Sequence, residues 1–229
     1  MESLDGHRPA TLIVGVSGDL LEVARELGRQ GERIGLLSRN TGLIYRYQER
    51  LQSWGVDCEV FVADVTESQG VLNAMMKFSA WSPRVDRLIY NVGVLSTESA
   101  ASVTEGELAR VMGANFFGFV NCFQLVLPMF QRLKRGHAIV LSSAAALDAE
   151  EQPVAYAASK ASLKIYLNSL RKEIAALDIA ISEVYLGRVA TQEGPRELTC
   201  EEIVVGVCDV IQSRSERLMI GDEGENSTN

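Results

Sequence analysis

The sequence predicts a single α/β domain, a doubly wound sheet of about seven mostly parallel strands with helices on both faces. Three observations carry this. Short apolar runs take turns with longer amphipathic patterns along all 229 residues, as strands and helices do. The apolar runs are apolar throughout, which is how strands read when both faces of their sheet are covered. No linker, internal repeat or change of composition divides the chain, and its length suffices for one large core.

In order, "TLIVGV" (11–16) reads as a buried strand and "LLEVARELGRQG" (20–31) as an amphipathic helix ending at a glycine. "RIGLLS" (33–38) is the second strand, followed by a helix around 43–53. "CEVFVAD" (58–64) is the third, with a helix near 67–80, and "RLIYN" (87–91) the fourth. Residues 104–112 and 115–133 read as a helix pair, "HAIVLSS" (137–143) as strand five and 153–176 as a long helix. "AISEVYL" (180–186), a helix at 200–212 and a last strand "RLMIG" (217–221) complete the domain, taken as residues 11–221. Residues 1–10 form an N-terminal extension, and the acidic, polar tail 222–229 is expected to be disordered.

Composition excludes several classes. A hydrophobic share of 47% and a charged share of 23% are those of an ordinary globular protein. Every apolar run is interrupted by Gly, Asn, Gln or Pro within a dozen residues, so no membrane span is expected. "MESLDGHRPA" has neither the bases nor the apolar centre of a signal peptide, which points to the cytoplasm. With net charge −8 and scattered bases, nucleic acid is not expected as a partner. Cys58, Cys122, Cys200 and Cys208 lack metal-ligand spacing and read as reduced thiols, with no metal site.

In doubly wound sheets ligands bind beyond the carboxyl ends of the strands. There the chain places Val14 to Leu20, Ser38-Arg39, Asp64-Val65, Asn91-Val92-Gly93, Ser142-Ser143 and Leu186 to Thr191, a polar, glycine-containing set. The most informative segment is "YAASK", in which Tyr156 and Lys160 lie four apart on one helical face. An ammonium near a phenol favours the phenolate and draws its pKa towards the acid/base range. Thirteen residues before the tyrosine stands Ser143, whose hydroxyl can face the same cleft and donate to an oxygen gaining charge.

With these residues the sequence resembles the short-chain dehydrogenase/reductase family in its single-domain, Rossmann-like form, from about Thr11 to Gly221. The family's Ser-Tyr-x-x-x-Lys set falls on Ser143, Tyr156 and Lys160, and its asparagine on Asn115 in "NFFG". The resemblance implies carbonyl reduction, or the reverse alcohol oxidation, by hydride transfer with a nicotinamide. Tyr156 is then the acid/base and Ser143 holds the substrate oxygen. Lys160 lowers the tyrosine pKa and binds the nicotinamide ribose, and Asn115 anchors a relay water. Gly15, Ser17 and Gly18 would cradle the pyrophosphate, while Asp64, Val65, Asn91, Gly93, Gly187, Val189 and Thr191 continue the cofactor site. After strand two stand Ser38 and Arg39 with no acid, which favours NADP(H) over NAD(H).

The glycine loop departs from the family's pattern. Gly15 and Gly18 have two residues between them instead of three, and Leu20 replaces the third glycine, so the helix must shift to admit it. Asp19 either caps the helix and competes with the pyrophosphate or points away as an ordinary first-turn acid. Two functions follow: an active NADP-dependent reductase, or a protein that keeps the fold but binds the dinucleotide weakly and regulates. Only "QEGPREL" separates Thr191 from a helix cap at Thr199, so the lid is short and the site open to a bulky or carrier-borne substrate, or to a partner chain. Asp148, Glu150 and Glu151 read as a solvated acidic loop beside the site, or as a seat for a cationic group. The helix "NFFGFVNCFQLVLPMF" is apolar nearly all round, and the family pairs through helices matching 115–133 and 153–176, so a homodimer or homotetramer is expected.

Overall fold

The computed structural model describes residues 8–147, 152–187 and 197–221. Seven strands form one sheet in the order β3-β2-β1-β4-β5-β6-β7. They are β1 (Ala10–Val14), β2 (Arg33–Ser38), β3 (Cys58–Val62), β4 (Arg87–Tyr90), β5 (Gly136–Ser143), β6 (Ile179–Leu186) and β7 (Arg217–Ile220). Every neighbouring pair is parallel. The reversal of order at β1 and β4 opens the crevice that such sheets offer to ligands.

Helices cover both faces. Helices α1 (Gly18–Arg29), α2 (Thr41–Ser53) and α7 (Cys200–Ser213) pack on one side, with Leu20, Ile44 and Val207 against Ile13, Ile139 and Val184 of the strands. On the other, α3 (Ser68–Trp81), α5 (Gly118–Leu133) and α6 (Val154–Glu173) bring Phe78, Phe123 and Leu163 onto Leu12, Leu88 and Ile181. Alternate residues of each strand thus serve opposite cores, which is why the strand runs are apolar without interruption.

The helix pair predicted at 104–112 and 115–133 is continuous. Helix α4 (Glu105–Met112) passes through a π turn at Gly113–Phe117 into α5. The joined helix, Glu105–Leu133, has the length and apolarity of a membrane span, yet Phe119, Cys122, Phe123, Val126 and Phe130 are buried on the sheet. These residues account for the apolar character of its buried face.

Below the site, at the amino ends of the strands, polar groups pair off. Arg87 Nη1 donates to both oxygens of Glu32 at 2.6 Å, and the Thr11 hydroxyl donates to Glu32 Oε2 at 2.5 Å. Asp86 accepts from the Ala10 amide and from Arg84 and Arg135.

Candidate active site

The β1–α1 turn is Gly15, Val16 and Ser17. Gly15 has φ +78°, and a Cβ there would lie 2.8 Å from Val92 Cγ2 and 3.0 Å from the Asn91 carbonyl, so only glycine lets the turn pass this close to β4. Asn91 fastens the turn from the other side, its Nδ2 donating to Gly15 O at 3.2 Å and to Ser17 Oγ at 3.4 Å. Ser17 is the N-cap of α1, accepting from the Leu20 amide, while its carbonyl takes the Leu21 amide. The first N–H groups of a helix have no partner within it, and such free amides at a helix start are what a pyrophosphate uses.

Both open points about this turn resolve locally. Asp19 does not cap the helix; its carboxylate lies at the Cys200 thiol at the start of α7, which together with burial pushes that thiol up. Leu20 is not an obstruction in the cradle, because its side chain is buried in the core between α1 and the sheet.

A cleft of about 380 Å³ opens beside the turn, lined by Gly15, Ser38, Arg39, Asp64, Val65, Asn91 and Gly93 among others. Seven positions predicted to hold the dinucleotide therefore share one wall. Within it Arg39 Nη1 donates to Asp64 Oδ2 at 2.8 Å, and Asp64 Oδ1 accepts from the Thr66 amide and hydroxyl. Partial burial works against the Asp64 charge, but the bonds from Thr66 and Arg39 outweigh it and hold the carboxyl below its ordinary value. Asn40 caps α2 by accepting from the Leu43 amide. Ser38 Oγ accepts from the Asn40 amide.

At the far end of the crevice Ser143 closes β5 and Tyr156 opens the first turns of α6. Ser143 Oγ accepts from the Ala145 amide at 3.2 Å, so the turn fixes a hydroxyl that also hydrogen-bonds the Tyr156 phenol. Lys160 Nζ sits 5.7 Å from the centre of the Tyr156 ring and 3.6 Å from where a Cβ on Gly93 would be. Lys160 is almost wholly buried, which draws its pKa down to about 8 against the opposing pull of Glu183.

One electrostatic expectation is corrected here. The sequence predicts a phenol lowered by its lysine, whereas burial raises Tyr156 and Ser143 supplies the opposing pull. The ammonium stands over the ring, 5.7 Å from its centre.

Asn115 lies in the π turn and is completely buried. Its Oδ1 accepts from the Val94 amide at 2.7 Å, and its Nδ2 donates to Val94 O at 3.1 Å and to Ser159 Oγ at 2.9 Å. Ser159 in turn donates to Tyr156 O at 2.7 Å. Both amide protons are thus spent on protein, so a water anchored at Asn115 would use an oxygen lone pair. Gly187 continues β6, its amide donating to Ile220 O. Val189, Thr191, Asp148, Glu150 and Glu151 lie outside the described residues.

Sequence reasoning missed three residues. Ser159 links Asn115 to Tyr156, and a small polar residue inside "YAASK" was its only signal. Tyr90, where the family has asparagine, is fully buried and donates to Ala114 O at 2.7 Å, bracing the π turn. Glu183, a completely buried carboxyl in an apolar strand, faces the underside of α6.

The short chain dehydrogenase pattern matches residues 10–198, most of the chain. The chain belongs to the short-chain dehydrogenase/reductase family. Members of this family are oxidoreductases, and relatives carry that description. An uncharacterized oxidoreductase of Myxococcus xanthus is 28% identical over 79% of this chain and 72% of its own length. A Drosophila melanogaster dehydrogenase/reductase SDR family protein 7-like is 32% identical over 82% of this chain and 59% of its own. A fatty acyl-CoA reductase of Acinetobacter baylyi is 26% identical over 79% of this chain and 62% of its own. Among solved structures, an alcohol dehydrogenase of Thermococcus sibiricus complexed with 5-hydroxy-NADP superposes with TM-score 0.84 at 21% identity, covering 96% of this chain and all 100% of the other. An actinorhodin polyketide ketoreductase with NADPH gives 0.85 at 19% identity, covering 96% and 98%. These likenesses confirm the Rossmann-like fold of this short-chain dehydrogenase/reductase.

Proposed function

We propose that this oxidoreductase uses NADP(H) to reduce a carbonyl, or to oxidise the matching alcohol, with Tyr156 as the general acid/base. The observation that carries the reading is the convergence of Ser143, Tyr156 and Lys160 at the end of the crevice whose other end is the Gly15–Asp64 cleft. The residues present fit a dinucleotide: a glycine turn that any Cβ would block, open amides at a helix start, and Arg39 positioned for a 2′-phosphate. Two structural relatives are named with NADP-type ligands, which supports the same choice here.

When bound, the nicotinamide supplies or accepts a hydride at the substrate carbon. In the reductive direction the Tyr156 hydroxyl gives its proton to the carbonyl oxygen as charge develops there, and the Ser143 hydroxyl donates a hydrogen bond to the same oxygen. The buried phenol, raised above its ordinary pKa, holds this proton at neutral pH. The phenolate that remains takes its proton back from solvent, and the Lys160 ammonium, beside Gly93, is placed to hold the nicotinamide ribose. Asn115 and Ser159 hold the α6 backbone at Tyr156 in register with the loop after β4.

The substrate is proposed to be a small or carrier-borne carbonyl compound, and the protein a cytoplasmic homodimer or homotetramer paired through α5 and α6. Four thiols without disulfides suit a reducing compartment. Phe117 and Ile165, exposed by 53% and 63%, suit a helix interface. The weak-binding regulatory reading draws on the Arg39–Asp64 bond, which a phosphate must loosen.

Titration with NADPH and NADH, followed by nicotinamide fluorescence, tests the proposal. Micromolar NADPH binding with much weaker NADH binding supports it, and Tyr156→Phe should then lower carbonyl reduction by about 10²–10⁴-fold while keeping NADPH binding. Absence of saturable binding to either turns the reading to the regulatory alternative.

A further inference from the structure

We propose that Tyr90 is a positioning residue of this site: its hydroxyl takes up the Ala114 carbonyl that the π turn deprives of its helical partner, and so holds Asn115 between the loop after β4 and the first turns of α6. The inference deepens the proposed function and rests on its assignment of Tyr156.

Packing alone gives Tyr90 no reason to be polar. It closes β4 with 0% of its surface exposed, inside the α6-side core. Its ring meets Phe119 edge-on, with the centroids 5.4 Å apart. A phenylalanine would fill the same space, whereas a buried phenol must find a hydrogen-bond partner.

The partner follows from the path of the helix backbone. In an α-helix the Gly118 amide would donate to Ala114 O, four residues back. Through the π turn it donates to Gly113 O instead, and Ala114 O accepts from the Tyr90 hydroxyl at 2.7 Å. The strand thus supplies the donor that the helix has withdrawn. Gly118 makes room for it, since a Cβ there would lie 2.5 Å from the Tyr90 hydroxyl oxygen and 2.6 Å from Val65 Cγ2. Ala114 is buried, so its carbonyl is costly to leave unpaired, and the hydroxyl favours the π turn over a regular helix.

The turn matters for the residue it carries. Asn115 follows Ala114 directly, with Oδ1 on the Val94 amide and Nδ2 on Val94 O and Ser159 Oγ. Returning the Gly118 amide to Ala114 O would rotate Asn115 relative to α5 and draw it off these partners. Ser159 donates to Tyr156 O at 2.7 Å, so the tie that begins at the Tyr90 hydroxyl reaches the backbone of the proposed acid/base.

Tyr90→Phe removes the hydroxyl and keeps the ring on Phe119. The hold on Asn115 is read from the Val94 amide signal in NMR of ¹⁵N-valine-labelled protein, assigned by Val94→Ile, with Asn115→Ala marking the position of the signal when the bond is lost. In Tyr90→Phe the Val94 signal is expected to move towards that position. The kcat for carbonyl reduction should fall about tenfold while the Kd for NADPH changes by less than about threefold. Gly118→Ala crowds the same hydroxyl and should give both changes, so the proposal remains testable if Tyr90→Phe does not fold. Val126→Ala, a buried deletion on α5 beyond the turn, lowers stability and should leave the signal and kcat unchanged. A Val94 signal at its wild-type position in the folded variants overturns the proposal, as does a moved signal with wild-type kcat or an equal effect from Val126→Ala. The signal requires no turnover, so a wild type without reductase activity would overturn the proposed reaction and leave the hold of Tyr90 on Asn115 to be judged on the NMR result.

Discussion

Arg39 and Asp64, 25 residues apart in sequence, meet across the mouth of the cleft through a 2.8 Å bond from Nη1 to Oδ2. The residue proposed to read the 2′-phosphate and a second residue of the predicted cofactor site are therefore engaged with each other. Arg39 is 66% exposed in its side chain, so solvent screens the pair and a doubly charged phosphate can compete for the guanidinium.

Arg39→Ala is expected to weaken NADPH binding about 10–100-fold, the worth of hydrogen bonds to a charged group, with NADH changed by less than about twofold. Parallel fluorescence titrations measure both. Equal losses for the two cofactors would show that Arg39 does not read the 2′-phosphate.

Asn115→Ala removes three hydrogen bonds and strands the half-buried Val94 amide. A loss of about 2–4 kcal/mol in urea unfolding is expected, together with reduced turnover as the Tyr156 backbone loses its tie. Asn115→Asp retains the acceptor for Val94 but not the donors, and should recover only part of the stability.

His137 is buried, with Nε2 at 2.8 Å from Ser182 Oγ. Burial, then the charges of Arg87 and Arg214, lower its pKa from 6.5 to about 3. The folded state binds this proton less readily than the unfolded one. Its contribution is therefore full above pH 6.5 and is lost as pH falls from there towards 3. At pH 5 the loss is about 2 kcal/mol, and His137→Asn should flatten this part of the stability–pH curve in chemical denaturation.

Ile165 projects from the outer face of α6 with 63% of its surface exposed. If α5 and α6 form the subunit interface, Ile165→Glu should shift the protein to monomers in analytical ultracentrifugation. An unchanged sedimentation coefficient would place the interface elsewhere or show a monomer.

The strands and helices were legible because burial on two faces leaves a strong mark. "RIGLLS" is apolar without a break, and the structure places its strand at Arg33–Ser38 as predicted. Helix ends were less legible: α1 begins at Gly18, two residues before the predicted start, because the Ser17 hydroxyl and carbonyl cap it. The join of α4 and α5 was not visible, since a π turn costs little sequence signal and depends on Tyr90 donating to Ala114 O across the core.

The local order of the chain carries the α/β alternation, the Ser143, Tyr156 and Lys160 spacing and the glycine turn, since each depends on residues near one another or on a repeating burial pattern. The direction of Asp19, the bond between Arg39 and Asp64, and the capture of Asn115 by Val94 and Ser159 come from folding. The physical reason is range: a hydrogen bond or a buried charge acts over a few ångströms in space, and the sheet brings those partners together from segments that sequence separation keeps apart.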